Sequence, residues 1–308
     1  MGNGKVLIMG HGQRLQVVVD TNIFDGLKTT ARPREGFEYV LAKVLYAEVF
    51  GRRLKPGQSA AKKQARAARG FRGVRPLLDG PTFRGLVSMG EFMEDVLFRE
   101  QRPEGVGKQP AGVIAGSVNS LDTWRSELPD PRMALKGDLE AQRAFNKNEQ
   151  AWVDRITYTA NEFLEFHELT TAGRIDDRVI DHVDDPEVRG AIAWMAERLY
   201  GSQFDDEWKT FLASSAENCL SPAVGRITAL SMHYTLVRSQ GLEQPEERFA
   251  NNFRDLQYAV LASYVGALCT HDKGLIKACD SVFGDRVRIF DADELFDIPD
   301  APNDNTST

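Results

Sequence analysis

Three aspartates stand beside apolar segments at opposite ends of the chain. Asp20 follows the β-branched run LQVVV at residues 15–19, a pattern typical of a central strand that is covered on both faces. Asp255 stands at the predicted start of a helix, and Asp272 comes just after the predicted strand ALCT. Because open parallel sheets bind ligands beyond the carboxyl ends of their strands, we expect the three carboxylates to lie close together.

Carboxylates gathered in this way repel one another unless a positive partner is present. A divalent cation removes that cost, and Mg²⁺ and Mn²⁺ both prefer hard oxygen ligands. Such an ion acidifies a bound water and stabilises the charge that develops on a phosphate. The pattern therefore indicates a Mg²⁺ or Mn²⁺ centre that hydrolyses a phosphate ester. The alternative for each aspartate taken alone is a helix cap or a turn.

These motifs resemble those of the PIN domain family of nucleases. The residues that carry the resemblance are Asp20-Thr21-Asn22, Asp255 ahead of Tyr258-Ala259 and Leu261-Ala262, and Thr270-His271-Asp272. The resemblance covers residues 15–98 and 248–296. It implies a three-layer α/β/α fold with a central, mainly parallel sheet. It also implies metal-dependent endonucleolytic cleavage of RNA that leaves a 5′-phosphate and a 3′-hydroxyl.

The resemblance further implies a glutamate ligand in the helix that follows the second strand. In the family this glutamate comes six positions after a small hydroxyl residue that ends the strand, and Ser88 and Glu94 have that spacing. Two alternatives stay open: Glu91, one helical turn earlier, and Glu165, six residues after Thr159. The residues assigned to catalysis and metal binding are therefore Asp20, Glu94, Asp255 and Asp272, with Asn22 and Thr270 in support.

The segments around these residues predict an α/β fold with a doubly wound, mainly parallel sheet. Further strands are predicted at residues 83–88 and 287–290. Helical periodicity predicts helices at residues 37–50, 186–200, 205–214 and 222–238, and in the segments IFDGLK, FRDLQYAVLASYVG and DKGLIKACDSVF.

The predicted organisation is one α/β domain that a long helical segment interrupts. Its parts are a first PIN-like part at residues 14–100, an all-helical insertion at 101–245, a second PIN-like part at 246–298 and a disordered tail at 299–308. The insertion opens with a Gly- and Pro-rich stretch typical of a linker. This organisation is longer than a minimal PIN domain requires.

A strongly basic arm occupies residues 52–75. It contains no acidic residue and nine basic ones: Arg52, Arg53, Lys55, Lys62, Lys63, Arg66, Arg69, Arg72 and Arg75. Because the whole chain carries a net charge of −7, the rest of the chain is left with −16. Positive charge concentrated in this way binds phosphates and releases their counterions. We therefore predict that the arm contacts nucleic acid; a solvated loop is the alternative.

The bulk composition indicates an ordinary globular protein. Hydrophobic residues make up 42% of the 308 residues and charged residues 27%. The three cysteines have no metal-ligand spacing, and their odd, sparse number favours a reducing compartment. The first residues lack the apolar stretch of a signal peptide, and no apolar run approaches the ~20 residues of a membrane span. We expect a cytoplasmic protein without a membrane partner.

The leading hypothesis is an endonuclease that uses Mg²⁺ or Mn²⁺ to cut single-stranded RNA. One alternative is a nuclease-like module with weak catalysis that binds RNA or a protein. Another is a structure-specific DNA nuclease. The sequence leaves open whether an inhibitor or partner protein exists, whether the chain forms a homodimer, and whether it acts as a toxin.

Overall fold

The computed structural model describes residues 14–27, 31–42, 77, 83–87, 154–155, 158–163, 178–201, 204–239 and 246–297. The predictions for Glu91, Glu94, Glu165, the basic arm and the tail fall outside these ranges.

A parallel sheet forms the centre of the fold. The strands are β1 (Leu15–Val19), β2 (Arg32–Pro33), β3 (Phe37–Ala42), β4 (Phe83–Val87), β5 (Ala267–Cys269), β6 (Arg288–Phe290) and β7 (Phe296–Asp297). Five of them form the main sheet, in the order β4-β3-β1-β5-β6, and each neighbouring pair is parallel. The α/β prediction with a mainly parallel sheet is confirmed, as are the predicted strands at β1, β4, β5 and β6.

The strand order reverses between β1 and β5. From β1 at the centre, the chain builds outward through β3 and β4 on one side. Later it returns to β5, on the other side of β1, and continues to β6. In open α/β sheets a crevice opens at such a reversal, beyond the carboxyl ends of the strands. This crevice lies where Asp20 and the residues after β5 emerge.

The helices are α1 (Thr21–Gly26), α2 (Val179–His182), α3 (Pro186–Tyr200), α4 (Asp206–Ser214), α5 (Ala216–Leu220), α6 (Ala223–Ser239), α7 (Glu246–Val265), α8 (Lys273–Phe283) and α9 (Ala292–Leu295). Helix α3 has the predicted bounds, and Pro186 occupies its first turn, where the missing N–H costs nothing. In the described parts of the chain, no helix is both long enough and apolar enough to cross a membrane.

Both faces of the sheet are buried. Within β1 the side chain of Val18 enters one core while those of Val17 and Val19 enter the other, as the alternation of a strand requires. The first core contains buried residues of α3, α6, α7 and α8. The second core contains buried residues of α1 and α9, together with Leu77. The first core thus also joins the helices of residues 186–239 to the sheet.

Helix α7 is the central helix of the first core. Its residues 256–262 are all buried, whichever side of the helix they lie on. A helix that is covered all round must be packed between other elements, and α7 contacts β1 and β5 on one side and α6 and α8 on others. It therefore has a fixed position relative to the sheet edge.

The prediction of a helix at residues 37–50 is wrong for its first six residues. Phe37–Ala42 forms β3, between β1 and β4. Val40 and Ala42 enter the first core, and Tyr39 and Leu41 enter the second. A strand that is buried on both faces has a nearly continuous apolar sequence, and periodicity alone does not distinguish such a run from a helix.

The prediction that Asp255 begins a helix is also wrong. Asp255 is the tenth residue of α7, which begins at Glu246. The preceding residues are compatible with helix, so the aspartate does not mark the helix start. From Asp255 to the end of α7 the chain runs about 15 Å along the helix axis. The three residues of β5 then run about 10 Å back in the opposite direction. Asp255 therefore still lies near the carboxyl edge of the sheet.

A second, two-stranded sheet joins residues 296–297 to residues 32–33. Strands β2 and β7 pair antiparallel, and Arg34 forms an ion pair of 2.9 Å with Asp297. The hydroxyl of Tyr39 in β3 also donates to the carbonyl oxygen of Leu295 at 2.6 Å. Strands of two residues carry no periodic signal, so the sequence did not predict this sheet.

Candidate active site

The position of Asp20 follows from the pairing of β1 with β5. Val19 is in register with Cys269, and the amide of Asp20 donates to the Cys269 carbonyl at 3.0 Å. Asp20 therefore lies beside Thr270 at the end of both strands. By alternation, both side chains point to the same face as Val18 and Leu268, the face covered by α6, α7 and α8. The side chain of Asp20 is only 4% exposed.

The hydroxyl of Thr270 connects three groups at this edge. It donates to Oδ2 of Asp20 at 2.6 Å. It accepts from Nδ2 of Asn22 at 3.1 Å and from the backbone amide of Asp272 at 3.0 Å. A hydroxyl has one hydrogen and two lone pairs, so these three bonds use its full capacity. The second oxygen of Asp20 accepts from the hydroxyl of Thr21 at 3.2 Å.

Asn22 ties the start of α1 to the segment after β5. Besides donating to Thr270, its side chain accepts from the backbone amide of His271 at 3.2 Å. These two contacts fix the segment after β5 against the start of α1. His271 itself is exposed.

Asp272 caps α8. Its Oδ1 accepts from the backbone amides of Gly274 at 2.7 Å and Leu275 at 3.1 Å. Such a cap satisfies amides that lack partners within the helix. The contacts to both amides use the same carboxylate oxygen, and Asp272 is exposed at the sheet edge. The structural role and a ligand role are therefore compatible for this residue.

Asp255 approaches from α7. It is half-buried and lies one helical turn before Ala259, which is fully buried in the first core. Residues four apart lie on the same side of a helix, so Asp255 extends the core-facing side of α7 toward the crevice.

Tyr234 lies on α6, which packs against both α7 and α8. Burial is the main cause that raises the pKa of this tyrosine far above its ordinary value, and the negative charges of Asp255 and Asp272 raise it further. The tyrosine is 8% exposed, and its buried hydroxyl has no hydrogen-bond partner among the described residues.

The donor chemistry suits a hard divalent cation. The predicted ligands present in the described ranges are all carboxylates. Within those ranges, no three acidic, histidine or cysteine side chains are gathered closely enough to hold an ion as they stand. The structure links Asp20 to Asp272 through Thr270. It does not describe Glu94.

A further acidic residue, Asp291, follows β6 at the same edge. Its position is explained by a capping box at the start of α9, in which its backbone amide donates to the Glu294 carboxylate at 2.9 Å. The pKa of the buried Cys269 thiol is raised by burial first, and then by the charges of Asp20 and of these acids. We assign Asp291 a structural role.

His233, next to Tyr234, is buried and packs edge-on against the tyrosine ring, with ring centroids 5.5 Å apart. Burial lowers its pKa to about 4, and the charge of Lys277 contributes in the same direction. The imidazole is therefore neutral near pH 7 and adds no charge beside the acidic residues.

Comparisons of the chain with protein-family models, curated proteins and solved structures found no match in any of the three.

Proposed function

We propose that this chain is a PIN-like endonuclease that uses Mg²⁺ or Mn²⁺ to hydrolyse phosphodiester bonds, with single-stranded RNA as its substrate. The proposed fold is a three-layer α/β/α sandwich with a helical insertion. The observation that carries the proposal is the link from Asp20 through Thr270 to Asp272 at the reversal of strand order. That edge is where parallel α/β sheets bind ligands.

The environment of Asp20 supports a cation there. A buried carboxylate is costly unless hydrogen bonds and opposite charge compensate it. The hydroxyls of Thr21 and Thr270 satisfy oxygen lone pairs of Asp20 and orient its carboxylate. Asp255 and Asp272 add negative charge from the same side of the sheet. A divalent ion would offset this charge.

In the proposed mechanism Asp20, Asp255, Asp272 and Glu94 hold the ion. When bound, the ion supplies positive charge to the scissile phosphate and lowers the pKa of water. The chain's contribution is orientation: Thr270 fixes Asp20, and the amides of α8 fix Asp272. Hydrolysis adds water across the P–O3′ bond, leaving a 5′-phosphate on one fragment and a 3′-hydroxyl on the other. The basic arm of residues 52–75 offsets the repulsion between the acidic residues and the substrate.

The test is cleavage of an end-labelled single-stranded RNA by the purified full chain with Mn²⁺ and with EDTA. Asp20→Asn is the inactive variant, since it removes a ligand charge at nearly constant volume. Asp280→Asn, an exposed aspartate on α8, is the matched control and should keep wild-type activity. Cleavage that is absent with Mn²⁺, or that survives Asp20→Asn, would refute the proposal. Preference for a DNA flap over RNA would favour a structure-specific DNA nuclease.

A second candidate is a nuclease-like module that binds RNA or a protein without strong catalysis. The feature in its favour is the group of nine basic residues at 52–75, which can bind phosphates without catalysis. RNA binding that is unchanged by EDTA, together with no cleavage, would favour this candidate.

A further inference from the structure

The described helices that begin at the acidic edge differ in charge. Helices α1, α8 and α9 begin shortly after strands β1, β5 and β6, at the carboxyl edge of the sheet. Helices α1 and α9 contain no basic residue, and α9 adds the exposed acids Asp293 and Glu294. Helix α8 instead carries Lys273 and Lys277 and a single acid, Asp280. A phosphate at this edge therefore meets positive charge on the α8 side.

Lys273 and Lys277 lie on one side of α8. Residues four apart are neighbours on a helix surface, and four residues advance about 6 Å along the helix axis. Both lysines are exposed, whereas Leu275 and Ala278 are buried in the first core. Because Lys273 directly follows Asp272, the pair of lysines begins at the acidic edge and continues away from it along the exposed side of α8.

The positive charge of these lysines is not cancelled within the described ranges. Neither lysine forms an ion pair with an acidic residue of those ranges. Asp280, one turn beyond Lys277, has Arg178 as its partner, with 3.5 Å between Nε of the arginine and Oδ2 of the aspartate. Ammonium groups beside a group of carboxylates attract an anion that the carboxylates alone would repel. Each ammonium offers three donors to phosphate oxygens.

We propose that the exposed side of α8 that carries Lys273 and Lys277, the α8 lysine surface, binds the phosphodiester backbone of the substrate strand beside the acidic site. This inference rests on the proposed function and adds a second basic surface to the arm of residues 52–75. One phosphate lies at the acidic edge, where it is cleaved, and its neighbours lie along α8. Contacts to phosphates carry no sequence information, so the α8 lysine surface selects a nucleic-acid strand without selecting its bases.

The test is the affinity of the full chain for a short, fluorescently labelled oligouridylate RNA across a salt series, with Ca²⁺ replacing Mg²⁺ to suppress cleavage. The variant combines Lys273→Gln with Lys277→Gln. Loss of two phosphate contacts should reduce the log–log salt slope by about 1.4, at about 0.7 for each contact to a single strand. The affinity for Mn²⁺ should be unchanged or higher, because the lysines are not ligands and their charge repels a cation.

The matched control combines Arg14→Gln with Arg286→Gln. It also removes two exposed positive charges, but from positions ahead of β1 and β6, at the opposite edge of the sheet. The control should keep the salt slope of the wild type. Equal reductions of the slope in the two double variants would show that only the net charge matters, and would refute the α8 lysine surface.

A second variant, Lys273→Arg with Lys277→Arg, keeps both charges. It should keep the wild-type slope, and a reduced slope would trace the effect to folding instead of charge and would also refute the α8 lysine surface. The thermal midpoints of all these variants should equal that of the wild type, because the substituted side chains are exposed.

The outcomes separate the two proposals. If the wild type cleaves RNA with Mn²⁺ and the glutamine variant at Lys273 and Lys277 keeps the full salt slope, the α8 lysine surface is refuted and the proposed function stands. If the wild type binds the RNA but does not cleave it with Mn²⁺, the proposed function fails, and a reduced slope in that variant still supports phosphate binding along α8. If the wild type binds no RNA, both proposals fail.

Discussion

The hydroxyl of Thr270 lies 2.6 Å from Oδ2 of Asp20, although the two residues are 250 positions apart in the chain. The contact results from the pairing of β1 with β5, which sets the ends of both strands side by side. The residue after each strand then lies at the same edge and on the same face. The acidic site is therefore a product of the sheet register as much as of the residues themselves.

Thr270→Val should lower the free energy of unfolding by about 2–4 kcal/mol, because it leaves Asp20, the Asn22 amide and the Asp272 N–H without their shared partner. Thr270→Ser keeps the hydroxyl and should stay within about 1 kcal/mol of the wild type. Urea denaturation measures both. Equal stability of the two variants would show that the hydroxyl network contributes nothing.

Substitutions at Asp272 should distinguish its role as the cap of α8 from its proposed role as a metal ligand. Asp272→Asn keeps a good capping side chain and should change stability little, whereas Asp272→Ala should cost about 1 kcal/mol. Both variants should lose Mn²⁺-dependent cleavage, because both remove the charge. Thermal denaturation and the RNA cleavage assay provide the two readouts. An active Asp272→Asn variant would show that Asp272 serves only as the cap of α8.

Two helical glycines should respond in opposite directions to alanine. A Cβ added at Gly225 would lie 1.7 Å from the carbonyl oxygen of Cys219, so Gly225→Ala should force α5 and α6 apart and strongly destabilise the protein. A Cβ at Gly190 in α3 meets nothing within 4 Å, and Gly190→Ala should stabilise by about 0.5–1 kcal/mol. Chemical denaturation of the pair measures both changes. A tolerated Gly225→Ala would contradict the close packing of these helices.

The buried His233 should make stability depend on pH. Its pKa falls from 6.5 to about 4 on folding. At pH values between these two, His233 binds a proton in the unfolded chain but not in the folded chain. The contribution of His233 is fully present above pH 6.5 and is lost as the pH falls toward 4. It amounts to about 3 kcal/mol at most. The difference in unfolding free energy between wild type and His233→Gln, followed from pH 7.5 to 4.5, measures it; a constant difference would contradict the burial.

Neutralising the basic residues of 52–75 should weaken oligonucleotide binding and leave Mn²⁺ affinity unchanged. Each lost phosphate contact should reduce the log–log salt slope by about 0.7 for a single strand. The measurement is affinity across a salt series, with Ca²⁺ replacing Mg²⁺ to suppress cleavage. An unchanged slope would mean that the arm is a solvated loop.

Sequence patterns were sufficient for the strands that end in the acidic motifs. A β-branched run before Asp20 and a short apolar run before Asp272 have few other interpretations, and both form adjacent strands. The pattern failed at residues 37–42, where burial on both faces makes a strand as continuously apolar as a buried helix. It also failed for the start of α7, since residues 246–254 contain no helix breaker and the signal lay earlier, at Pro245, directly before Glu246.

The supporting contacts could not be predicted, because they depend on three-dimensional register. Thr270 was predicted only to support the acidic residues; its hydroxyl accepts from the Asp272 amide, and its hydrogen goes to Asp20.

The position of β5 beside β1 has a consequence for protein synthesis. Strand β1 cannot gain this neighbour until the ribosome has added the 250 residues that separate Asp20 from Thr270. At 5–20 residues per second, that interval lasts about 10–50 s. During this interval β1 lacks β5 as a neighbour and must avoid aggregation, and the acidic site has not yet formed. Any hydrolytic activity at this site begins only after Thr270 and Asp272 have been made.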